Sequence, residues 1–283
     1  MKVMLIIFTA FLFQNNIKAS ETFQFAPPPF NILNLRSVDA REDGGIDYVS
    51  IKVDDIKFKA INYSAARTVK KWESGGFSWG YNFGGVFGKG DFASGLGSLD
   101  SEMRMTGMTF GMQPNFYFDL AGKEEDDFSL PFYFGPHMNF TMLVGSFDYL
   151  YPVVSGWPPT IKWYKDTAYL TSFTMMFGWQ FGIQAGVNLG PVKFVPYVDF
   201  HQELGGSVSY SATMEGSSYS DSQSIKSTSL SATPGFDIVF RNIGLSLGGA
   251  VNTMKSTSGS GEDVKTTTFH LRWQTKFRSV CGI

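Results

Sequence analysis

Apolar residues alternate with small polar residues over long stretches of the chain. The clearest stretch runs from Thr167 to Val192 and contains no Asp, Glu, Lys or Arg. One alternating set is apolar: Tyr169, Phe173, Met175, Phe177, Trp179, Phe181, Ile183, Ala185, Val187 and Leu189. The set between them is small or polar: Ser172, Thr174, Gly178, Gln180, Gly182, Gln184, Gly186 and Asn188. A period of two is typical of a β-strand with two different faces, whereas a membrane helix has a period of about 3.6.

The same alternation predicts further strands on both sides of this stretch. Before it lie DYVSIKV, IKFKAINYSAA, FSWGYNFGGVFG, MRMTGMTFGMQPNFYFDL and LPFYFGPHMNFTMLVG, and after it lie VKFVPYVDFHQEL, SLSATPGFDIVF, IGLSLGGAVNT and TTFHLRWQTKF. Pro114, Pro136, Pro196 and Pro234 fall inside these segments. Because proline cannot donate a backbone hydrogen bond to a neighbouring strand, we expect β-bulges at these four positions.

Short and long connections alternate between the predicted strands. The short ones are Trp72–Gly76, Ala121–Asp127, Leu189–Pro191 and Arg241–Asn242, and the long ones are Lys89–Ser101, Ser146–Asp166, Tyr210–Ser224 and Lys255–Asp263. Transmembrane β-barrels have short turns at one membrane surface, longer loops at the other, and usually an even number of strands. The pattern therefore predicts an all-β fold, a transmembrane antiparallel up-and-down β-barrel of about ten strands over residues 46–277. Eight and twelve strands are the alternatives, and 46–53 is the first strand.

The composition of the polar faces separates this barrel from a soluble β-sandwich. A soluble sheet also alternates, but its solvent face usually carries Lys, Glu and Arg, whereas Gly, Ser, Thr, Asn and Gln predominate here. Charged residues make up only 17% of the chain and aromatic residues 16%, against about 25% charged residues in typical soluble domains. The net charge of −2, without a basic stripe, gives no indication of a nucleic-acid partner. A secreted soluble β-protein is the alternative to the barrel.

The first residues are typical of an export signal. Lys2 precedes the apolar run VMLIIFTAFLF, and Ala19 is a small residue before a suitable cleavage point, so residues 1–19 are predicted to be a signal peptide. The run is too short to cross a bilayer as a helix. Residues 20–45 lack a period and are predicted to form an extended N-terminal segment, either a periplasmic tail or a plug. Residues 278–283 are predicted to be a short tail, whose lone Cys281 has no partner for an intrachain disulfide.

The last predicted strand is rich in aromatic residues. Phe269, Leu271, Trp273 and Phe277 alternate with His270, Arg272, Gln274 and Lys276. This pattern resembles the terminal signal of Gram-negative outer-membrane β-barrel proteins, and residues 46–277 as a whole resemble that class. The chain departs from the pattern because residues 278–283 follow the last aromatic residue, so the signal would be internal. The resemblance implies location in the outer membrane, contact with its lipid and lipopolysaccharide, and insertion by the barrel-assembly machinery.

Charged and histidine side chains are predicted to face the barrel interior. They are His137, Asp199, His201, Glu203, Asp237, Arg241, His270, Arg272 and Lys276. The interior of a barrel of about ten strands is narrow, and buried charges need partners. One interpretation is an ion-paired core that fills and rigidifies the lumen of a structural surface protein. The other is a constriction that selects small solutes by charge in a narrow, porin-like pore. Neither requires a cofactor or a metal ion, and none is predicted.

Two further hypotheses concern catalysis and surface binding. His201, Asp199 and either Ser207 or Ser209 supply the residue types of a barrel hydrolase that acts on lipid or peptide. Residues two apart on one strand are about 6–7 Å apart, which is beyond hydrogen-bond reach, so this is an alternative function only. The connections 146–166 and 210–224 are rich in aromatic and hydroxyl residues. They are predicted either to bind a surface ligand such as a glycan or to lie in the lipopolysaccharide zone.

Overall fold

A computed structural model describes residues 41–53, 56–93, 100–123, 126–155, 160–214, 217–225, 230–254 and 264–276. The predicted signal peptide, residues 20–40 of the N-terminal segment and the tail 278–283 lie outside the described residues. No helix in the described part of the chain is long and apolar enough to cross a membrane.

The described residues form β-strands joined by turns. In chain order the strands are β1 (Arg41–Val53), β2 (Ile56–Trp72), β3 (Gly75–Ala93), β4 (Asp100–Ala121), β5 (Phe128–Ser155), β6 (Thr160–Gln184), β7 (Gly186–Leu189), β8 (Val192–Met214), β9 (Ser217–Ile225), β10 (Ser231–Phe240), β11 (Leu245–Met254) and β12 (Val264–Lys276).

The strands close into a ten-stranded antiparallel barrel. From β1 to β6 each strand pairs with the next, β6 pairs with β8, and β8 pairs with β10. From β10 to β12 each strand again pairs with the next, and β12 pairs back to β1. Two short strands complete this wall: β7 continues β6 beyond Ala185, and β9 pairs with the part of β8 that lies beyond the β8–β10 pairing. The predicted fold class and the strand number of ten are therefore confirmed.

The two ends of the barrel differ in their connections. The connections after β2, β4, β7 and β10 are short turns, and their end of the barrel is called the short-turn end here. Gly190 and Gly244 have φ angles of 72° and 64° in two of these turns. This left-handed conformation is one that glycine adopts without steric cost. The opposite end, where β5–β6 and β8–β9 project, is called the hairpin end.

The predicted start of the barrel wall at residue 46 is wrong. Strand β1 begins at Arg41, and Glu42 is in register with Arg67 of β2 and with Thr275 of β12. Residues 41–45 therefore belong to the wall and not to the N-terminal segment. The sequence of these residues is charged, contains glycine and lacks an alternating apolar face, so it predicts a turn and not a strand.

The predicted long loops at 146–166 and 210–224 are mostly strand. The β5–β6 ladder continues to the pair Ser155–Thr160, and the β8–β9 ladder to the pair Met214–Ser217. These residues carry polar side chains on both faces or lack a strict alternation, so they resemble loops in sequence. The barrel consequently projects two β-hairpins at its hairpin end.

The prediction of bulges at the four prolines is also wrong. The register shifts lie at Thr68–Lys70, Asp119–Ala121 and Phe177–Gly178. Pro114 and Pro136 occupy facing positions of the β4–β5 ladder, which keeps one register on both sides of an unpaired gap between Met112 and Phe116. Neither proline can donate a backbone hydrogen bond. Because the two prolines face each other, the missing hydrogen bonds are confined to one point of the β4–β5 ladder.

The outward faces of the strands form a continuous apolar belt. Its exposed residues include Trp79, Phe83, Phe110, Phe116, Phe134, Met142, Phe173, Phe177, Trp179, Phe194, Leu204, Phe236, Leu247 and Phe269. On β6 the intervening residues Thr174, Gln180 and Gln184 are buried on the inward face. The alternation that the sequence shows between 167 and 192 is thus the difference between the outside of the barrel and its lumen.

Candidate functional site in the lumen

The inward faces of the strands carry the polar side chains of the barrel. The charged and histidine residues buried there are Asp47, His137, Lys193, Asp199, His201, Glu203, Asp237, His270 and Arg272, each no more than 5% exposed. A side chain with almost no accessible surface adjoins no space that a water molecule can enter. At these positions the lumen is therefore filled by its own side chains.

A histidine–carboxylate pair crosses three strands near the middle of the lumen. His137 of β5 and Glu203 of β8 are both in register with Gly178 of β6, which lies between them. The Nε2 atom of His137 lies 2.8 Å from Oε1 of Glu203, and both side chains are 1% exposed. A Cβ atom on Gly178 would lie 2.8 Å from Cε1 of His137. The glycine therefore makes room for the two side chains to meet above the middle strand.

A second histidine–carboxylate pair has the same construction. Asp237 of β10 and His270 of β12 are in register with Gly248 of β11. The Nε2 atom of His270 is hydrogen-bonded to Oδ1 of Asp237. A Cβ atom on Gly248 would lie 2.5 Å from Nε2 of His270 and 2.5 Å from the Phe236 carbonyl oxygen. As in the first pair, the two side chains can meet because the middle strand carries a glycine between them.

The third pair joins Arg272 of β12 to Asp47 of β1. The Nη2 atom of Arg272 lies 3.7 Å from Oδ1 of Asp47, with side-chain exposures of 4% and 0%. The Ser64 hydroxyl of β2 donates a hydrogen bond to Oδ2 of the same carboxylate. Because Asp47 and His270 are in register, this pair adjoins the Asp237–His270 pair. Four charged or histidine groups, each almost fully buried, thus lie together around β12.

His201 has an amide and not a carboxylate as its partner. The Asn252 amide nitrogen lies 3.1 Å from Nε2 of His201 and donates to Oγ1 of Thr233 at 2.7 Å. The ring of His201 meets the ring of His137 edge-on, with centroids 6.4 Å apart. Accepting a hydrogen bond at Nε2 suits a neutral imidazole. His201 therefore links the His137–Glu203 pair to the hydroxyl groups of β10.

Asp199 lies apart from His201, although the two share a strand and a face. It is in register with Gly182 of β6, and Gly182 is in register with Tyr133 of β5. A Cβ atom on Gly182 would lie 2.7 Å from Cε1 of Tyr133, so this ring extends over the glycine towards β8. The neighbours of Asp199 are therefore phenolic.

Apolar clusters lie on both sides of the polar region. Towards the hairpin end lie Val49, Ile51, Phe58, Ala60, Val86 and Leu143, with Met105 packed against them. Towards the short-turn end lie Ala66, Tyr117 and Tyr133 in one cluster and Val195 and Val239 in another. The Asp47–Arg272 pair and the two histidine–carboxylate pairs thus lie between apolar clusters along the length of the barrel.

Two of the predicted lumen residues differ from the rest. The prediction for Arg241 is wrong, because Arg241 lies in the exposed turn between β10 and β11, where its backbone nitrogen donates to the Pro191 carbonyl oxygen. The strand ends at Phe240, the last residue of its predicted segment, so Arg241 belongs to the connection and not to the inward face. Lys276 is the last residue of β12 and pairs with Arg41 of β1, and its side chain is outside the described part of the structure.

Sequence reasoning missed Asp47, Lys193 and Asn252 as lumen residues. Asp47 stands between Ile46 and Tyr48, which are both exposed on the outward face. A lone carboxylate between two lipid-facing residues is a signal that could have identified it. The small amide of Asn252 gives no such signal, because Asn is common on the inward faces.

The arrangement does not fit the hydrolase built on Ser207 or Ser209. The register of the β6–β8 ladder shifts between Phe177 and Gly178, which inserts an extra residue of β8 near Leu204. Both serines are exposed on the outward face, whereas His201 is buried in the lumen. The described residues also contain no group of three or more His, Cys, Asp or Glu that could hold a metal ion.

One ion pair lies on the projecting β5–β6 hairpin. Lys165 and Asp148 are 2.6 Å apart with side-chain exposures of 67% and 46%, and the Thr167 hydroxyl donates to the same carboxylate at 2.8 Å. The hydrogen bonds from Lys165 and Thr167 lower the pKa of Asp148 below its ordinary value. This exposed pair is the counterpart of the buried Asp47–Arg272 pair.

Comparison with known proteins bears on the fold. No family model matches the chain, and no curated protein sequence matches it. Among solved structures, the outer-membrane protease OmpT from Escherichia coli aligns with a TM-score of 0.51 and 12% identity, covering 90% of this chain and 99% of that chain. The transport unit of the autotransporter AIDA-I from Escherichia coli aligns with a TM-score of 0.37 and 13% identity, covering 92% and 97%. A major outer membrane protein from Thermus thermophilus aligns with a TM-score of 0.36 and 10% identity, covering 83% and 99%. The likeness to OmpT shows that the chain has the fold of an outer-membrane β-barrel, as its alternation predicts.

Proposed function

We propose that the protein is an integral outer-membrane β-barrel with a sealed lumen, which acts as a structural surface protein and not as a pore. The observation that carries this proposal is the burial of nine charged or histidine side chains in the lumen, from Asp47 at 0% to His201 at 5% exposure. An aqueous path through the barrel would wet these groups. The apolar clusters at the two ends support the same conclusion.

The direction of the barrel follows from its connections. Outer-membrane barrels have short periplasmic turns and longer outer loops, so the short-turn end faces the periplasm and the hairpin end faces outwards. The N-terminal segment 1–19 supports export through a signal peptide. Insertion would use the barrel-assembly machinery, and the apolar belt would contact lipid and, in the outer leaflet, lipopolysaccharide.

The alternative proposal, a narrow pore, requires the lumen to open. A solute could pass only if Arg272 and the two histidine–carboxylate pairs moved together with an apolar cluster. Breaking a buried ion pair costs about 3–5 kcal/mol, so the open state would be rare at equilibrium. The projecting hairpins β5–β6 and β8–β9 are the surfaces left to carry function in a sealed barrel.

A swelling assay tests the sealed lumen. Liposomes that contain the refolded protein are expected to swell in an isotonic solution of a small neutral sugar no faster than protein-free liposomes. Folding is checked in the same sample by the shift in gel mobility on heating. Sugar uptake that rises in proportion to the amount of folded protein would show that the lumen is an open pore.

A further inference from the structure

The outward face of the β8–β9 hairpin carries only hydroxyl side chains. The cross-strand pairs on this face are Ser207–Ser224, Ser209–Ser222, Ser211–Ser220 and Thr213–Ser218. These residues are called the hydroxyl ladder here. Those whose side chains are described are exposed or half-buried. A regular array of this kind contributes little to a hydrophobic core, because nearly all of its side chains are exposed.

The hydroxyl ladder begins where the apolar belt ends. On β8 the last outward-facing apolar residue is Leu204, 42% exposed, and the ladder starts just beyond it. On the neighbouring β6, Phe173 is in register with Ser209, and Thr171 is in register with Ser211. In a membrane this height corresponds to the boundary between acyl chains and head groups of the outer leaflet.

A groove lies on this boundary. It has a volume of about 530 Å³, and its lining includes Phe173 and Thr171 of β6, Ser209 and Ser211 of β8, and Ser220 and Ser222 of β9. The groove is shallow and open to the outside of the barrel. The groove has an aromatic side chain at the belt and hydroxyl groups beyond it. A lipid in the leaflet has the same order, with its apolar chains at the belt and its polar head group beyond.

The charge of the groove indicates which class of lipid head group it would bind. The hydroxyl ladder contains no Lys, Arg, Asp or Glu. Asp221, which also lines the groove, accepts a hydrogen bond from the Tyr210 hydroxyl at 2.9 Å. Phosphate recognition normally uses Arg or Lys, whereas serine and threonine hydroxyls both donate and accept hydrogen bonds. The groove is therefore complementary to a neutral polyhydroxyl group.

We propose that this groove binds the neutral sugar head group of a glycolipid in the outer leaflet, with the apolar part of the lipid against Phe173. The proposal rests on the membrane location given under the proposed function. It assigns the hydroxyl ladder to lipid and not to a soluble glycan, because the groove is continuous with the apolar belt.

Native mass spectrometry of the full-length, refolded protein tests this site. The probes are monoglucosyl diacylglycerol and phosphatidylglycerol, which share a diacylglycerol unit but differ in having a neutral sugar or an anionic phosphate. We expect saturable binding of the glucosyl lipid at concentrations where phosphatidylglycerol does not bind. The double variant Ser211→Ala/Ser220→Ala should bind the glucosyl lipid about tenfold more weakly, since it removes two hydroxyl groups that can hydrogen-bond the sugar.

A matched control removes two exposed hydroxyl groups elsewhere. Thr106 of β4 and Thr253 of β11 face outwards beyond the groove, so Thr106→Ala/Thr253→Ala should bind the glucosyl lipid like the unaltered chain. Equal binding of both lipids, or no effect of Ser211→Ala/Ser220→Ala, would overturn the proposal. Binding of free maltose as tight as that of the lipid would overturn the glycolipid assignment. Failure of the chain to form a heat-modifiable barrel would instead contradict the proposed membrane fold.

Discussion

Replacing Gly248 by alanine is expected to prevent the barrel from reaching its stable folded form. The added Cβ would lie 2.5 Å from both His270 Nε2 and the Phe236 carbonyl oxygen, and backbone cannot move as a flexible side chain can. Overpacking a buried site costs about 1–3 kcal/mol, and separating Asp237 from His270 breaks a buried hydrogen bond to a carboxylate, which costs about 1.5–3 kcal/mol more. We therefore expect a loss of more than about 3 kcal/mol, measured by guanidinium unfolding in detergent micelles.

The matched control is the same substitution at Gly85 of β3. A Cβ there would meet only the ring of Phe87, at 3.4 Å, which is ordinary van der Waals contact. Gly85→Ala should change stability by no more than about 1 kcal/mol, because alanine in a strand costs less backbone entropy than glycine. Equal stability of Gly248→Ala and Gly85→Ala would contradict the steric role of the glycine between the paired side chains.

Replacing Asp47 by alanine is expected to produce the second large effect. The substitution leaves the Arg272 guanidinium buried, at 4% side-chain exposure, without its carboxylate. Removing one partner of a buried pair costs about 3–5 kcal/mol, because the remaining buried charge loses its counter-charge. The loss should appear as a lower midpoint of guanidinium unfolding, followed by tryptophan fluorescence.

The exposed pair Asp148–Lys165 provides the comparison. Its nitrogen–oxygen distance of 2.6 Å is shorter than the 3.7 Å of the buried pair. Yet solvent screens exposed charges and the side chains lose entropy on pairing, so Asp148→Ala should leave the unfolding midpoint unchanged. A larger loss in Asp148→Ala than in Asp47→Ala would mean that burial is not what makes the lumen pair important.

The fold could be predicted because apolar and polar residues alternate along every strand of the barrel. Lipid on one side of the wall and packed lumen on the other impose alternation on every strand, and the stretch from Thr167 to Val192 shows it without a charged residue. The alternation of short and long connections between the strands then predicts the topology and the number of strands. Hairpins beyond the membrane lack this constraint, which is why 146–166 and 210–224 read as loops.

The lumen could be predicted only in part. Alternation places His137 and Glu203 on the inward face, but their pairing depends on register between strands that are distant in sequence. The glycines on the middle strands are visible in the sequence, and Gly178 and Gly248 stand at inward positions. The shear of the barrel, which is the offset between neighbouring strands, decides which side chains meet at each glycine. The extra residue of β8 near Leu204 changes the register of Ser207 and Ser209 relative to β6.

The sealed lumen is the central claim, and planar-bilayer recording tests it most directly. The refolded, heat-modifiable protein should insert without producing conductance steps, because the Asp47–Arg272 pair, the two histidine–carboxylate pairs and the apolar clusters leave no aqueous path. Reproducible conductance steps, scaling with the amount of folded protein added and absent with unfolded protein, would contradict it.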